Sequence, residues 1–198
     1  MKIHKHGFVK LLEVMGNDEE VENAARISYG EGTRKVSQTR NLIRYLMRHK
    51  HTSPFEMCEV KFHIKLPIFV MRQLVRHRTA NINEYSGRYS IMSDEFYLPA
   101  EADVQEQSES NNQGRGKDLD QDNKILVLSR MVAVTDQTKE CYRQIANPTP
   151  LDGFYEGFKG IARELARTVL PVSNYTECIW KIDLNNFFHF AKLRMDAH

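Results

Sequence analysis

Between positions 72 and 90 the chain reads Arg-Gln-Leu-Val-Arg-His-Arg-Thr-Ala-Asn-Ile-Asn-Glu-Tyr-Ser-Gly-Arg-Tyr-Ser. Arg72, Arg76, His77, Arg78 and Arg88 are gathered there with one carboxylate, Glu84. Guanidinium groups present forked donors that match phosphate and carboxylate oxygens two at a time, so such a cluster beside Ser86, Gly87 and Ser90 points to a phosphate-bearing ligand. Gly87 has no Cβ and lets backbone approach such a ligand closely. A solvated basic helix end followed by a loop has the same composition, and the cluster alone leaves both readings open.

Other chemistries find less support. Cys58, Cys141 and Cys178 are odd in number and far apart, with no pair spaced as in a zinc site or redox motif. None lies beside an activating base or cationic cluster, which makes all three reduced packing residues. Ser86 is the remaining candidate nucleophile, but a serine needs a general base within hydrogen-bond reach, and His77 is nine residues away. A metal-dependent hydrolase built on His51, His63 and His77 lacks a helical histidine pair or a carboxylate-rich ligand set, so no metal is expected. A nucleic-acid module, with Arg72 to Arg88 tracking phosphates and Tyr85 and Tyr89 stacking on bases, is opposed by a formal charge of only +2.

The elements that must position these residues are read from periodicity. Asn17 with Glu20 looks like a capping box, and Val21, Ala24, Ala25 and Ser28 recur at helical spacing over 18–29. Leu42, Tyr45, Leu46 and His49 repeat the pattern in a second helix, which ends before the turn Lys50-His51-Thr52-Ser53-Pro54. From Cys58 to Leu66 apolar and polar residues alternate strictly, which predicts a half-buried strand with Glu59, Lys61, His63 and Lys65 toward solvent. Pro67 suits the first position of a new helix that ends in Arg76-His77-Arg78. Residues 103–124 hold almost no apolar side chains and predict a mobile surface loop. A long helix is expected over 124–146, another over 154–168, a strand from Tyr175 to Ile182, and a last helix through Leu184, Phe187, Phe188, Ala191 and Met195. That helix stops at His198 with neither glycine cap nor polar tail.

At 198 residues and 41% hydrophobic the chain can bury one core, and a single domain over 1–198 is the default. No apolar run approaches the roughly 18 residues of a membrane span, and the N-terminus lacks a signal-peptide core. A cytoplasmic protein without membrane or nucleic-acid partners is expected.

The order of residues is sharper than their composition. Arg76-His77-Arg78, then seven residues, then Ser86-Gly87-Arg88-Tyr89-Ser90, with Asn83-Glu84 before it, strongly resembles the signature of the flavin-dependent thymidylate synthase family. The resemblance continues in Ala24-Ala25-Arg26-Ile27-Ser28, His51-Thr52-Ser53-Pro54-Phe55-Glu56, Ala166-Arg167-Thr168-Val169-Leu170-Pro171 and Leu193-Arg194-Met195-Asp196-Ala197-His198. It covers the chain except 103–124.

The resemblance implies a methyltransferase that converts dUMP to dTMP with 5,10-methylenetetrahydrofolate as carbon donor and FAD reduced by NADPH. It places Ser28, Ser53, Glu56, Arg76, His77, Arg78, Glu84, Asp183 and His189 at FAD, the last two where some relatives have asparagines. It places Gln73, Arg76, Glu84, Ser86, Gly87, Arg88, Arg167 and Arg194 at dUMP, and His51 and Tyr89 where folate and nicotinamide stack. Arg194, His51 and Ser86, the last in a positioning role, would form the catalytic group. Without the resemblance, Arg167 would be read as an ion-pair partner of Glu164, three residues earlier. The implied assembly is a homotetramer whose active sites are shared between subunits. Family members continue past the final histidine, so the family's C-terminal helix is expected to be missing here. The expected fold is α+β, a mixed sheet with strands near 58–66, 88–97 and 174–182 packed with long helices.

Overall fold

A computed structural model describes residues 1–29 and 39–195. In chain order the elements are β1 (Lys2–Ile3), β2 (Gly7–Met15), α1 (Asp18–Arg26), α2 (Thr39–Arg48), α3 (Ser53–Glu56), β3 (Glu59–Pro67), α4 (Ile68–Leu74), β4 (Asn81–Glu84), β5 (Gln105–Gln107), β6 (Arg115–Asp118), α5 (Gln121–Ala146), α6 (Arg163–Ala166), β7 (Tyr175–Asp183) and α7 (Leu184–Arg194). The motif residues Asp196, Ala197 and His198 lie outside the described residues.

The alternating run at 58–66 becomes β3, the central strand of a five-stranded sheet ordered β1-β2-β3-β7-β4. Every neighbouring pair is antiparallel. The α+β class holds, and the expected mixed sheet is antiparallel instead. β3 and β4 both run opposite to β7, hence in the same direction as each other, but β7 lies between them and no parallel pair forms.

One face of the sheet carries Ile64, Leu66, Cys178, Trp180 and Ile182, covered by Met71 and Leu74 of α4 and by Phe187 and Phe190 of α7. The other face is not the free solvent surface expected for the polar residues of β3. Glu59 accepts from Lys181 at 2.7 Å, and Glu177 contacts His63 at 2.8 Å and Lys65 at 3.4 Å. A second cluster joins Val21 of α1, Leu46 of α2, Phe55 of α3 and Cys58. Asn17 caps α1 by accepting from the Glu19 and Glu20 amides at 2.9 and 3.1 Å. A third cluster holds Met92, Tyr142, Ala146 and Ala166 where the end of α5 meets α6.

Two further expectations are corrected. Residues 88–97 do not form a strand: only Phe96 bridges to Asn174, whose amide donates to the Ser93 and Glu95 carbonyls at 2.8 and 3.0 Å. The edge of β7 is paired instead by β4, whose Asn81-Ile82-Asn83-Glu84 is too short and polar to show an alternation. Residues 154–168 are not one helix. Gly153, Gly157 and Gly160 all adopt positive φ, which breaks the turn, and only α6 and a 3-10 turn at Arg167–Val169 remain. Phe158 packs on both Phe154 and Tyr155, with ring centroids 4.5 and 5.4 Å apart. At Gly160 a Cβ would lie 2.9 Å from the Ile145 and Ala146 carbonyl oxygens.

The 103–124 segment contains the hairpin β5–β6, and α5 begins within it at Gln121, capped by Asp120, which accepts from the Asn123 amide at 2.9 Å. Isolated two-stranded hairpins are marginal, and the residues of both strands are almost all exposed. Amides of 105–118 are therefore expected to exchange with deuterium well before those of β3 and β7. Equal protection of hairpin and central sheet would contradict this.

Candidate active site

α4 ends at Leu74, and the turn that follows carries Arg76, His77 and Arg78. His77 is half-buried, its ring set edge-on to Phe190 of α7 with centroids 4.8 Å apart. Its Nε2 accepts from Arg194 Nε at 3.2 Å, which puts the proton of the neutral ring on Nδ1. Burial, and then the charge of Arg194 and the neighbouring His189, push the His77 pKa below its ordinary value. The imidazole is therefore neutral near pH 7. Arg76 and Arg78 are exposed, and among the described residues neither side chain has an ion-pair or hydrogen-bond partner.

Past β4 the chain turns sharply at Ser86, whose carbonyl accepts from the Tyr89 and Ser90 amides at 3.1 and 3.2 Å. Ser86 Oγ accepts from the Arg88 amide at 3.3 Å. Gly87 is buried, and a Cβ there would come within 2.8 Å of the Met92 sulfur and 3.3 Å of Arg167 Cδ. α6 grips this turn: Arg163 donates to the Tyr89 carbonyl, and Glu164 pairs with Arg88 Nε at 2.8 Å. Glu164 thus serves Arg88, not Arg167 as its sequence spacing suggests. Glu84, Gly87 and Arg167 line a cleft of about 140 Å³ together with Tyr85, Met92 and Thr176. Gln73 and Arg194 line a larger, mostly apolar cleft of about 340 Å³ with Leu74, Tyr175 and Phe190.

The remaining predicted residues lie on the helical side. Ser28 sits in the turn after α1, and Ser53 and Glu56 are exposed on α3. α3 reaches α7 through Phe55 and Phe188, with ring centroids 6.2 Å apart. Asp183 caps α7, accepting from the Asn186 amide at 2.9 Å and its side-chain nitrogen at 2.6 Å, while His189 is exposed one turn further on. His51 is exposed and stacks on Tyr45 at 6.0 Å, and Tyr89 is 75% exposed on the turn held by α6. No contact among the described residues joins His51 to Tyr89. The predicted nucleotide residues are thus divided between two clefts, Glu84, Gly87 and Arg167 in one and Gln73 and Arg194 in the other, and of these Arg194 meets the predicted flavin residue His77.

Sequence reasoning missed Arg163 and Glu164, which carry ordinary helix-surface types, and Phe190, which reads as one more apolar residue of the last helix. Among the described residues no group of three or more His, Cys, Asp or Glu is placed to hold a metal ion, and no helix is long and apolar enough to cross a membrane. Burial pushes the Cys58 thiol up, and burial followed by the Glu84 charge pushes Cys178 up to about 11. Both are therefore thiols, not thiolates, near pH 7.

A family model described as Thymidylate synthase complementing protein matches residues 10–198. A flavin-dependent thymidylate synthase of Gluconobacter oxydans is 53% identical over 193 residues, covering 98% of this chain and 61% of that protein. One from Ehrlichia ruminantium (strain Gardel) is 52% identical over 197 residues, covering 100% of this chain and 63% of that protein. The chain thus spans about three fifths of the length of these curated relatives. A UMP/dUMP methylase, PolB, from Streptomyces cacaoi, crystallised with 5-Br UMP, superposes with a TM-score of 0.78 at 33% identity, covering 96% of this chain and 77% of that one.

Proposed function

The chain belongs to the thymidylate synthase complementing protein family, and from that premise we propose that it acts as a flavin-dependent thymidylate synthase. It methylates dUMP to dTMP, taking the carbon from 5,10-methylenetetrahydrofolate and electrons from NADPH through FAD. The observation that carries this reading is the contact between Arg194 and His77. It joins one residue expected at the nucleotide to one expected at the flavin, from elements far apart in the chain.

The donor set fits a flavin dinucleotide. Among the described residues the Arg76 and Arg78 side chains have no partners, and forked guanidinium donors match the oxygens of a pyrophosphate. The neutral His77 ring, backed by Phe190, offers an amphipathic edge beside them. Arg76, His77 and Arg78 would hold FAD, with Ser28, Ser53, Glu56, Asp183 and His189 as further contacts. Bound and reduced, FAD would supply the hydride that methylation of uracil requires.

The chain's own groups would bind, orient and stabilise. Carbon 5 of uracil is a poor nucleophile, and adding a protein nucleophile at carbon 6 is one way to activate it. The buried thiols are poorly suited to that role. Ser86 Oγ accepts from a backbone amide and, among the described residues, is hydrogen-bonded to no base that could take its proton. Arg88, Arg167 and Arg194, together with Gln73, Glu84 and Gly87, would fix the nucleotide, and the arginines would offset charge developing on the ring. His51 and Tyr89, apart in one chain, would meet across subunits of a cytoplasmic homotetramer. Exposed Ile125, Leu126, Val132 and Val134 on α5 and Leu11, Val14 and Met15 on β2 give such an assembly apolar surface to cover.

Tritium release from [5-³H]dUMP, dependent on added FAD, folate and NADPH, tests the proposal, and no release with all four present would refute it. Ser86→Ala is expected to slow dTMP formation by only about two- to tenfold, the scale of one neutral hydrogen bond, against the about million-fold loss typical of an obligatory nucleophile. A dead variant that still binds dUMP and FAD, with a uridylate adduct on wild-type Ser86 in quenched samples, would reverse this assignment.

A further inference from the structure

We infer that Thr176 is a positioning residue that holds the Glu84 carboxylate in place for the nucleotide, an inference that rests on the functional reading above. On the buried face of β7, Thr176 precedes Cys178, Trp180 and Ile182 at alternate positions, and all four are 2% exposed. Packing at such a site calls for an apolar residue. Valine has the same β-branched outline, an equal liking for strands, and no hydroxyl to satisfy.

The hydroxyl that stands there donates to Glu84 Oε1 at 2.8 Å. Glu84 is the last residue of β4, paired opposite Cys178, and Thr176 lies two residues before Cys178 on β7, on the same face. The next tie is the Tyr85 amide to the Glu177 carbonyl at 2.8 Å, after which the chain leaves the sheet for the Ser86-Gly87-Arg88 turn. A carboxylate at the end of an edge strand would otherwise move among several rotamers. Thr176 commits one oxygen and leaves Oε2 to accept from a ligand N–H or O–H in the cleft that Glu84, Gly87, Arg167 and Thr176 line together.

Two variants separate positioning from packing. Thr176→Val retains both branches and removes the donor, while Thr176→Ser retains the donor and leaves a small void. In thermal melts the valine variant should be at least as stable as the serine variant. In calorimetric titration of the FAD-loaded protein with dUMP the order should reverse: serine near wild type, valine weaker by about tenfold, the scale of one hydrogen bond to a charged acceptor. In a Glu84→Ala background, Thr176→Val should add little further loss. Crystal structures of the variants should show Glu84 placed as here with serine and turned away with valine. Affinities that follow the stability order, or an unmoved Glu84 in Thr176→Val, would overturn the inference. Wild-type protein that binds FAD but no dUMP would refute the functional reading instead, and the Glu84 position in the two crystal structures would still decide the role of Thr176.

Discussion

Alanine at both Arg76 and Arg78 is expected to weaken FAD binding by at least about a hundredfold while leaving the fold untouched. Each hydrogen bond from a charged donor contributes about 1.5–3 kcal/mol, so two together amount to roughly 3–6 kcal/mol, or about a hundred- to ten-thousandfold in Kd. Contacts to one ligand group are not strictly additive, which favours the lower end. The fold should tolerate the change because both side chains are exposed and neither has a partner among the described residues. Exposed substitutions of this kind stay within about 0.5 kcal/mol. Flavin titration followed by absorbance, beside a urea melt of the flavin-free protein, reads both quantities. Undiminished FAD affinity would move the pyrophosphate away from this turn. A parallel loss of fold and flavin would mean that the arginines serve the protein and not the ligand.

The largest expected effect on stability is at Trp180, which is 2% exposed at the centre of β7. Its ring lies 6.1 Å from Phe62 on β3 and 5.1 Å from Phe190 on α7, so it joins the sheet to the helix that backs His77. Trp180→Ala removes this volume from a close-packed face and should cost about 3–5 kcal/mol. Trp180→Phe should cost much less: it retains an aromatic ring and removes a buried indole N–H that has no hydrogen-bond partner among the described residues. Denaturant midpoints of the two variants provide the check. A cost below about 1 kcal/mol for alanine would show that this face relaxes around the void. Because Phe190 rests on both Trp180 and His77, the alanine variant should also bind FAD more weakly where it remains folded.

The alternation of β3 was legible because the strand has one buried face and enough residues to repeat the pattern, and β7 was legible as a β-prone run. α1, α2 and α5 were legible from helical spacing and, for α1, from a capping asparagine that the structure uses. The arginine-rich turn and its family signature were also present in residue order alone. These are local properties, carried by neighbours along the chain.

The rest depended on partners distant in sequence. β4 is a strand only because β7 offers it an open edge, and Asn81-Ile82-Asn83-Glu84 carries no pattern of its own. The helix expected over 154–168 fails because three glycines take positive φ, and Gly160 does so where the chain passes close to the end of α5. Spacing assigned Glu164 to Arg167, yet the fold gives it to Arg88, since a side chain pairs with whichever charge the tertiary structure brings near. The sequence by itself thus determined which groups are available for phosphate and flavin chemistry and on which elements most of them ride. Only the tertiary structure decided that Arg194 meets His77 and that Thr176 meets Glu84. Such contacts are set by sheet register and helix packing, to which residues spaced about 90 and 117 positions apart give no local clue.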